Sequence, residues 1–298
     1  MNSPKAIWRV PSTFEEGTLR SFLRHEIGMS GRTLKAIKKE GNLLVNGREE
    51  TVRALLKPED TVTVCFPMEE PSEELEPFFC PLSILYEDEH LLIVDKPAGM
   101  ATIPGRGERG CSLAEAVIHY YKEQKIPAAF HAVNRLDRDT SGIVTVAKHQ
   151  YIHERLSFFQ KEGRSVRRYT AVAEGSVVPK KGQIIAPIGR REGSMVERIV
   201  ISTGDYAESS YKVIKEKDSA SMIELTLETG RTHQIRVHMS HIGHPLAGDD
   251  LYGGSQRYIR RQALHSGYYS TIHPISFQKI NVHSSLPPDM AQAWEAID

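Results

Sequence analysis

Cysteine is scarce in this chain: three residues in 298, at Cys65, Cys80 and Cys111. An odd number at such wide spacing excludes a disulfide scaffold and offers no zinc-ligand pattern, which points to a reducing compartment, the cytoplasm. Long apolar runs are missing as well. No window approaches the roughly 18 apolar residues of a membrane span, and the opening Met-Asn-Ser-Pro-Lys-Ala-Ile-Trp has no apolar core of signal-peptide length. Nor is there an excess of either charge: Lys plus Arg and Asp plus Glu are each 38. The molecule as a whole is therefore no basic adhesive, and any contact with nucleic acid must use charge segregated along the chain. Repeats and low-complexity tracts are absent too. What remains is a soluble chain long enough for one large or two unequal domains.

Charge is indeed segregated. Residues 1–66 hold 11 Lys and Arg against 8 Asp and Glu, a net of +3 in a neutral protein. Leu19, Phe22, Leu23 and Ile27 recur at helical spacing between Gly17 and Gly28, and a second helix starts at Gly31 with Leu34 and Ile37 inward. Its outer face carries Arg32, Lys35, Lys38 and Lys39; Gly41 ends it, and Leu43 to Gly47 reads as a strand entering an Asn-Gly turn. A small helix-turn-helix followed by a hairpin emerges, its basic face suited to phosphate or simply solvated. From Pro67 to Glu89 there are eight acidic residues and no Lys or Arg, with four prolines interrupting regular structure. Such a stretch reads as a flexible tether that stays off nucleic acid.

Beyond it, Leu91 to Val94 is an apolar strand ending in Asp95-Lys96-Pro97-Ala98-Gly99. Lys96 is expected to be a surface charge at the strand end, and Pro104-Gly105-Arg106-Gly107 a mobile, basic-tipped loop. Ser112 caps a helix through Ala114, Val117, Ile118 and Tyr121. The richest stretch follows: His131 to Ala147 crowds Arg135, Asp137, Arg138, Asp139, Thr140 and Ser141 into one loop, then runs through Gly142 into the strand Ile143, Val144, Val146, Ala147. Such a loop suits a reactive carboxylate, or is a charged surface turn. Tyr151 to Lys161 is a helix, and Arg164, Arg167 and Arg168 lead into a strand starting near Tyr169. Short antiparallel strands fill Gly182 to Ile214, and Ser221 to Leu227 is another. The Gly230 to His238 stretch opens a helix on which His233 and Arg236, three apart, can approach a common site. His233, His238, His241 and His244 invite a metal reading, which fails for want of a Cys or carboxylate to complete the ligand set. Arg257, Arg260 and Arg261 form a later cluster that tracks an RNA backbone or covers a solvated helix face.

Several of these segments, in this order, resemble the motifs of RluA-type RNA pseudouridine synthases. Arg135-Leu136-Asp137 with Thr140-Ser141-Gly142 is similar to their catalytic loop, Ile84 to Met100 to their first motif, and Leu227 to His238 to their third. Arg168-Tyr169-Thr170-Ala171 is similar to their basic-Tyr-x-Ala segment. Residues 1–66 resemble the α-L RNA-binding module often found ahead of such enzymes. One departure is Asn134, where the family usually has His.

The resemblance implies a mixed α/β (α+β) fold: a largely antiparallel-sheet catalytic domain at 83–298, preceded by the module at 1–66 and an acidic, proline-rich linker at 67–82. It implies isomerisation of specific uridines in RNA to pseudouridine, rRNA ahead of tRNA, by a cytoplasmic monomer. Nothing is oxidised or added, so no cofactor and no metal are called for. Asp137 falls on the essential aspartate, Arg236 on the arginine that orients it, and Tyr169 on the ring that stacks on the uracil, with Ile235 beside it. Arg135, Arg231, Arg168 and His233 are candidates for holding the RNA. The carboxylate can attack the anomeric carbon, stabilise its positive charge, or take a ribose proton. Two rival readings are an RNA hydrolase or glycosidase pairing Asp137 with Asp139 or His233, and a non-enzymatic RNA-binding or ribosome-assembly factor indifferent to Asp137.

Overall fold

The computed structural model describes residues 3–71, 75–105 and 112–298; the expected loop tip at Arg106 and Gly107 lies outside them. The chain opens with β1 (Lys5–Arg9), β2 (Gly17–Thr18), a helical turn α1 (Leu19–Ser21), a π-helical turn over Phe22–Glu26 and α2 (Gly31–Glu40). The strands β3 (Asn42–Val45), β4 (Arg48–Glu49), β5 (Leu55–Leu56) and β6 (Thr61–Cys65) follow. A four-stranded sheet has the order β1-β6-β3-β4, and β2 pairs with β5. Where a regular helix from Gly17 was expected, Ile27 N–H bonds Phe22 O, five residues back. That wider turn accompanies burial of Phe22, Leu23 and Ile27 together. The second helix is as expected: Ser30 caps it, Leu34 and Ile37 are buried, and Arg32, Lys35, Lys38 and Lys39 face solvent.

The larger unit starts with β7 (Ser83–Glu87), β8 (Leu91–Lys96), α3 (Leu113–Glu123), β9 (His131–Ala132), β10 (Ser141–Ala147) and α4 (Gln150–Lys161). Then come β11 (Val166–Glu174), β12 (Lys181–Ile185), a hairpin of β13 (Ile188–Arg190) and β14 (Arg198–Val200), β15 (Glu208–Lys217), β16 (Ala220–Leu227) and α5 (Gln234–His241). It closes with β17 (Leu264–Ile272), β18 (Lys279–His283) and α6 (Pro288–Ala296). Ten strands form one sheet in the order β12-β15-β16-β11-β17-β10-β8-β7, with β18 on β17 and β9 on β10. All its pairings are antiparallel except β10 with β17, so the fold is mixed α+β and mostly antiparallel. At that parallel junction Gly142 has φ +112°, and a β-carbon there would lie 2.3 Å from Ser266 O. Only glycine lets the two backbones meet directly behind the Asp137 loop.

Strand β10 is buried along its whole length. Val144 and Val146 join one core with Val117 and Tyr121 of α3 and Ile235 and Met239 of α5. Ile143 and Ala147, on its other face, join a second core with Ile152, Leu156 and Phe159 of α4. That second core also contains Trp8, Leu23, Ile37, Val64 and Phe66. The N-terminal unit is thus not loosely tethered, as the acidic linker suggested, but shares a core with the larger one. Phe66 stacks on Tyr151, with ring centroids 5.1 Å apart; Trp8 Nε1 donates to Ile275 O at 3.1 Å, and Thr33 Oγ1 to Glu154 at 2.6 Å. The linker is fastened by its own acid. Glu69 accepts from Gln150 N–H at 2.7 Å, where a carboxylate complements the N-terminus of α4.

Candidate active site

The loop from Asn134 to Ser141 is held from several sides, and few of the groups that hold it announce themselves in the sequence. Lys96, expected at the surface, is 0% exposed. Its Nζ donates to Pro97 O, Met100 O and Arg138 O at 2.8, 2.7 and 3.1 Å, matching the three protons of an ammonium to three carbonyls. Burial pushes its pKa down to about 8, against the pull of Asp139 and Asp137. Thr102 Oγ1 donates to Leu136 O and accepts from Leu136 N–H. Arg261 donates to Asp139 O at 3.1 Å while forming a two-pronged pair with Asp289 of α6. It is therefore a strut in an irregular segment, neither a helix face nor an RNA track. Asn134, at the usual His position, braces the strand that follows: its amide donates to Ile143 O and its oxygen accepts from Thr145 N–H.

Asp137 projects from this frame into a cleft of about 500 Å³. Arg135, Arg138, Arg167, Arg231 and Arg236 line it, and among the described residues Asp137 is its only carboxylate. Arg236 Nη1 donates to Asp137 Oδ2 at 3.1 Å, while Nε and Nη2 grip the two oxygens of Asp249, each at 2.7 Å. Asp249 is fully buried, Arg236 nearly so, and Asp137 keeps 26% of its side chain exposed. Burial disfavours the guanidinium charge, but the bonds and charge of Asp249, then Asp137, outweigh it and raise the Arg236 pKa above its ordinary value. A buried cation, itself anchored by Asp249, thus faces a half-buried carboxylate and fixes its orientation.

Tyr169, on β11, and Ile235, on α5, are both buried and line the same cleft, giving it an apolar wall. His233 caps α5 with its Nε2 3.8 Å from Asp137 Oδ2. Arg135 and Arg231 are exposed at the rim; Arg231 is steadied by Tyr206 O at 3.0 Å. Arg168 is the exception. Successive strand residues face opposite ways, so with Tyr169 in the cleft Arg168 lies on the other face, its guanidinium 4.6 Å from the Tyr268 ring. The arginine that does line the cleft beside Tyr169 is Arg167, and strand period alone could have identified it. Gln160, with its amide oxygen turned inward, accepts from Arg167 at 2.8 and 3.1 Å. Asp249 escaped notice because nothing local distinguishes it from Asp250; its only hint is the glycine-bounded position after a buried Leu246-Ala247. Asp139, the rival acid/base partner, does not line the cleft. The other α5-region histidines disperse: His238 bonds Ser209 and Ala186 O, and His244 bonds Glu174 O.

The arrangement sets one arginine-braced carboxylate beside an apolar wall, inside a rim of cations. Residues 90–241 match the model of a family described as RNA pseudouridylate synthase. The chain is similar to "Uncharacterized RNA pseudouridine synthase YjbO" of Bacillus subtilis, 46% identical over 268 residues, 90% of this chain and 95% of the other. It is 38% identical over 272 residues to ribosomal large subunit pseudouridine synthase D of Pseudomonas aeruginosa, covering 84% of this chain and 82% of that one. Among solved structures, human RNA Pseudouridylate Synthase Domain Containing 1 superimposes with a TM-score of 0.57 at 25% identity, over 73% of this chain and 86% of that one.

Proposed function

Because this chain belongs to the RNA pseudouridylate synthase family, and so is an isomerase acting on uridine in RNA, we propose that Asp137 is its catalytic aspartate and ribosomal RNA its substrate. The reaction breaks the bond between uracil N1 and the anomeric carbon, turns the base and joins that carbon to C5. The C5 proton leaves and N1 ends protonated, so nothing is consumed. Asp137 can add to the anomeric carbon, offset its charge or take a ribose proton, and all three uses need one ionised, fixed carboxylate. That Asp137, braced by Arg236, is the one carboxylate lining the cleft among the described residues is the observation that carries the assignment.

The anomeric carbon of a stacked nucleotide is out of reach, so the uridine enters flipped out. Tyr169 and Ile235 then flank the uracil, and Arg135, Arg138, Arg167 and Arg231 take the adjoining phosphates. Arg168, on the far side of its strand, has no part in this. The exposed basic face of α2 adds a second contact to the RNA backbone. The names of several relatives support a large-subunit ribosomal RNA target, and the enzyme works as a cytoplasmic monomer. The test is Asp137→Asn, which keeps size but removes charge and basicity. Tritium release from RNA carrying C5-labelled uridine should vanish while RNA binding persists, because only bond formation at C5 expels the label. A folded Asp137→Asn protein that releases tritium at the wild-type rate would defeat the assignment.

A further inference from the structure

A chain of hydrogen bonds runs from the β13–β14 hairpin into the cleft. Arg198 N–H donates to the Tyr252 hydroxyl at 3.0 Å, and that hydroxyl lies 2.8 Å from His233 Nδ1. A backbone N–H can only donate, so the phenolic oxygen accepts there. Giving the hydroxyl's own proton to His233 Nδ1 uses each donor on this path once, with Nδ1 as the acceptor. A neutral imidazole that accepts at Nδ1 carries its single proton on Nε2. Nε2 is the atom turned to Asp137, 3.8 Å from Oδ2.

The surroundings favour the neutral form of this ring. Asp137 faces it from the catalytic loop, Arg236 from its own helix, Arg198 from β14, and Asp249 and Tyr252 from the turn after α5. Burial is the largest influence and lowers the His233 pKa; Asp137 and Asp249 oppose it, and Arg236 and Arg198 reinforce it. The backbone is held in place too. His233 sits at φ 57° and ψ 19°, left-handed, a conformation that residues with a β-carbon keep only where the surroundings over-determine it.

We infer that His233 is a positioning residue for Asp137 rather than a contact for RNA: a neutral Nε2–H donor whose tautomer is set by Tyr252 and, through it, by the hairpin. The inference rests on the assignment of Asp137. In the free protein the contact is too long for a hydrogen bond, and a shift of roughly 0.6–1 Å on RNA binding closes it. Arg236 and His233 then both donate to Oδ2, which leaves Oδ1 as the oxygen that acts. An imidazolium in the same place would pair with the carboxylate and blunt it, so neutrality is part of the device.

Two measurements test this. Two-bond proton–nitrogen spectra of the imidazole rings in the RNA-free protein should show His233 as the Nε2–H tautomer, neutral below its ordinary pKa; an Nδ1–H pattern or a normal titration overturns the inference whatever the enzyme's activity. Tritium-release kinetics against pH supply the second. His233→Ala should lower kcat about tenfold or more with KM unchanged, the loss of one hydrogen bond to a charged group. His233→Gln, whose amide nitrogen reaches the place of Nε2, should recover most of that loss, and His233→Asn should not. Tyr252→Phe frees Nδ1 to take a proton, so the acid limb should move to higher pH. Equal activity of the Gln and Asn variants, a loss confined to KM, or superimposable profiles for wild type and Tyr252→Phe would each overturn it. If wild-type protein with the expected tautomer releases no tritium from any RNA, the functional assignment fails instead.

Discussion

Asp249→Asn separates the carboxylate that anchors Arg236 from Asp137, the one proposed to react. Asp249 has a fully buried side chain and makes two bonds of 2.7 Å to an arginine side chain only 8% exposed. Breaking a buried pair of this kind costs about 3–5 kcal/mol, because the remaining charge is left unpaired. Asparagine keeps the shape and one acceptor oxygen, which returns about 1 kcal/mol. A net destabilisation of about 3 kcal/mol should lower the melting temperature by about 5–10 °C. Freed of its anchor, Arg236 no longer fixes Asp137, so turnover should also fall while RNA affinity is largely kept. Asp137→Asn, by contrast, removes one bond of 3.1 Å from a side chain 26% exposed. Its stability cost should stay within about 1 kcal/mol although activity is lost. Thermal melts and tritium release on both variants give the answer together. An Asp249→Asn protein that melts with the wild type, or an Asp137→Asn protein that loses as much stability, would refute the division of labour.

Phe66→Ala should remove about 3–5 kcal/mol in one cooperative urea transition, since Phe66 is 2% exposed in a core shared by both parts of the chain; two separate transitions would show that the N-terminal unit unfolds alone. Lys35→Glu with Lys38→Glu, both on the exposed face of α2, should leave the melting temperature unchanged. The pair should weaken RNA binding and flatten the salt dependence of log K by about 2, and an unaltered slope would remove α2 from the RNA interface.

The second helix and the Asn-Gly turn of the N-terminal part, the strand after the Asp137 loop and the helix at α5 were legible from local pattern, whereas the first helix was not, because its apolar residues are buried through a π-helical turn rather than a regular helix. The i and i+3 spacing of His233 and Arg236 likewise lets both approach one site, and both lie beside Asp137. Legibility stopped where a side chain's role depends on residues far along the chain. Lys96 looks like a surface charge because its neighbours include Asp95 and Pro97; only the return of the loop at Arg138 supplies the third carbonyl that buries it. The acidic linker looks like a tether because composition reports charge but not what the charge will cap. Arg168 adjoins Tyr169 in the motif, but strand alternation, once Tyr169 is set in the cleft, turns Arg167 and not Arg168 to the same side.

By itself the sequence determined that this chain carries a carboxylate loop before a buried strand and an arginine-bearing helix, since local pattern and motif spacing encode both. Only the tertiary structure decided that Asp249 holds the other side of Arg236, that the Tyr252 hydroxyl meets His233 Nδ1, and that the N-terminal unit shares a core with the larger one. Such pairings join residues 13 to more than 100 positions apart, and their energy comes from excluding water around them. That exclusion belongs to the packed whole, and no segment read alone contains it.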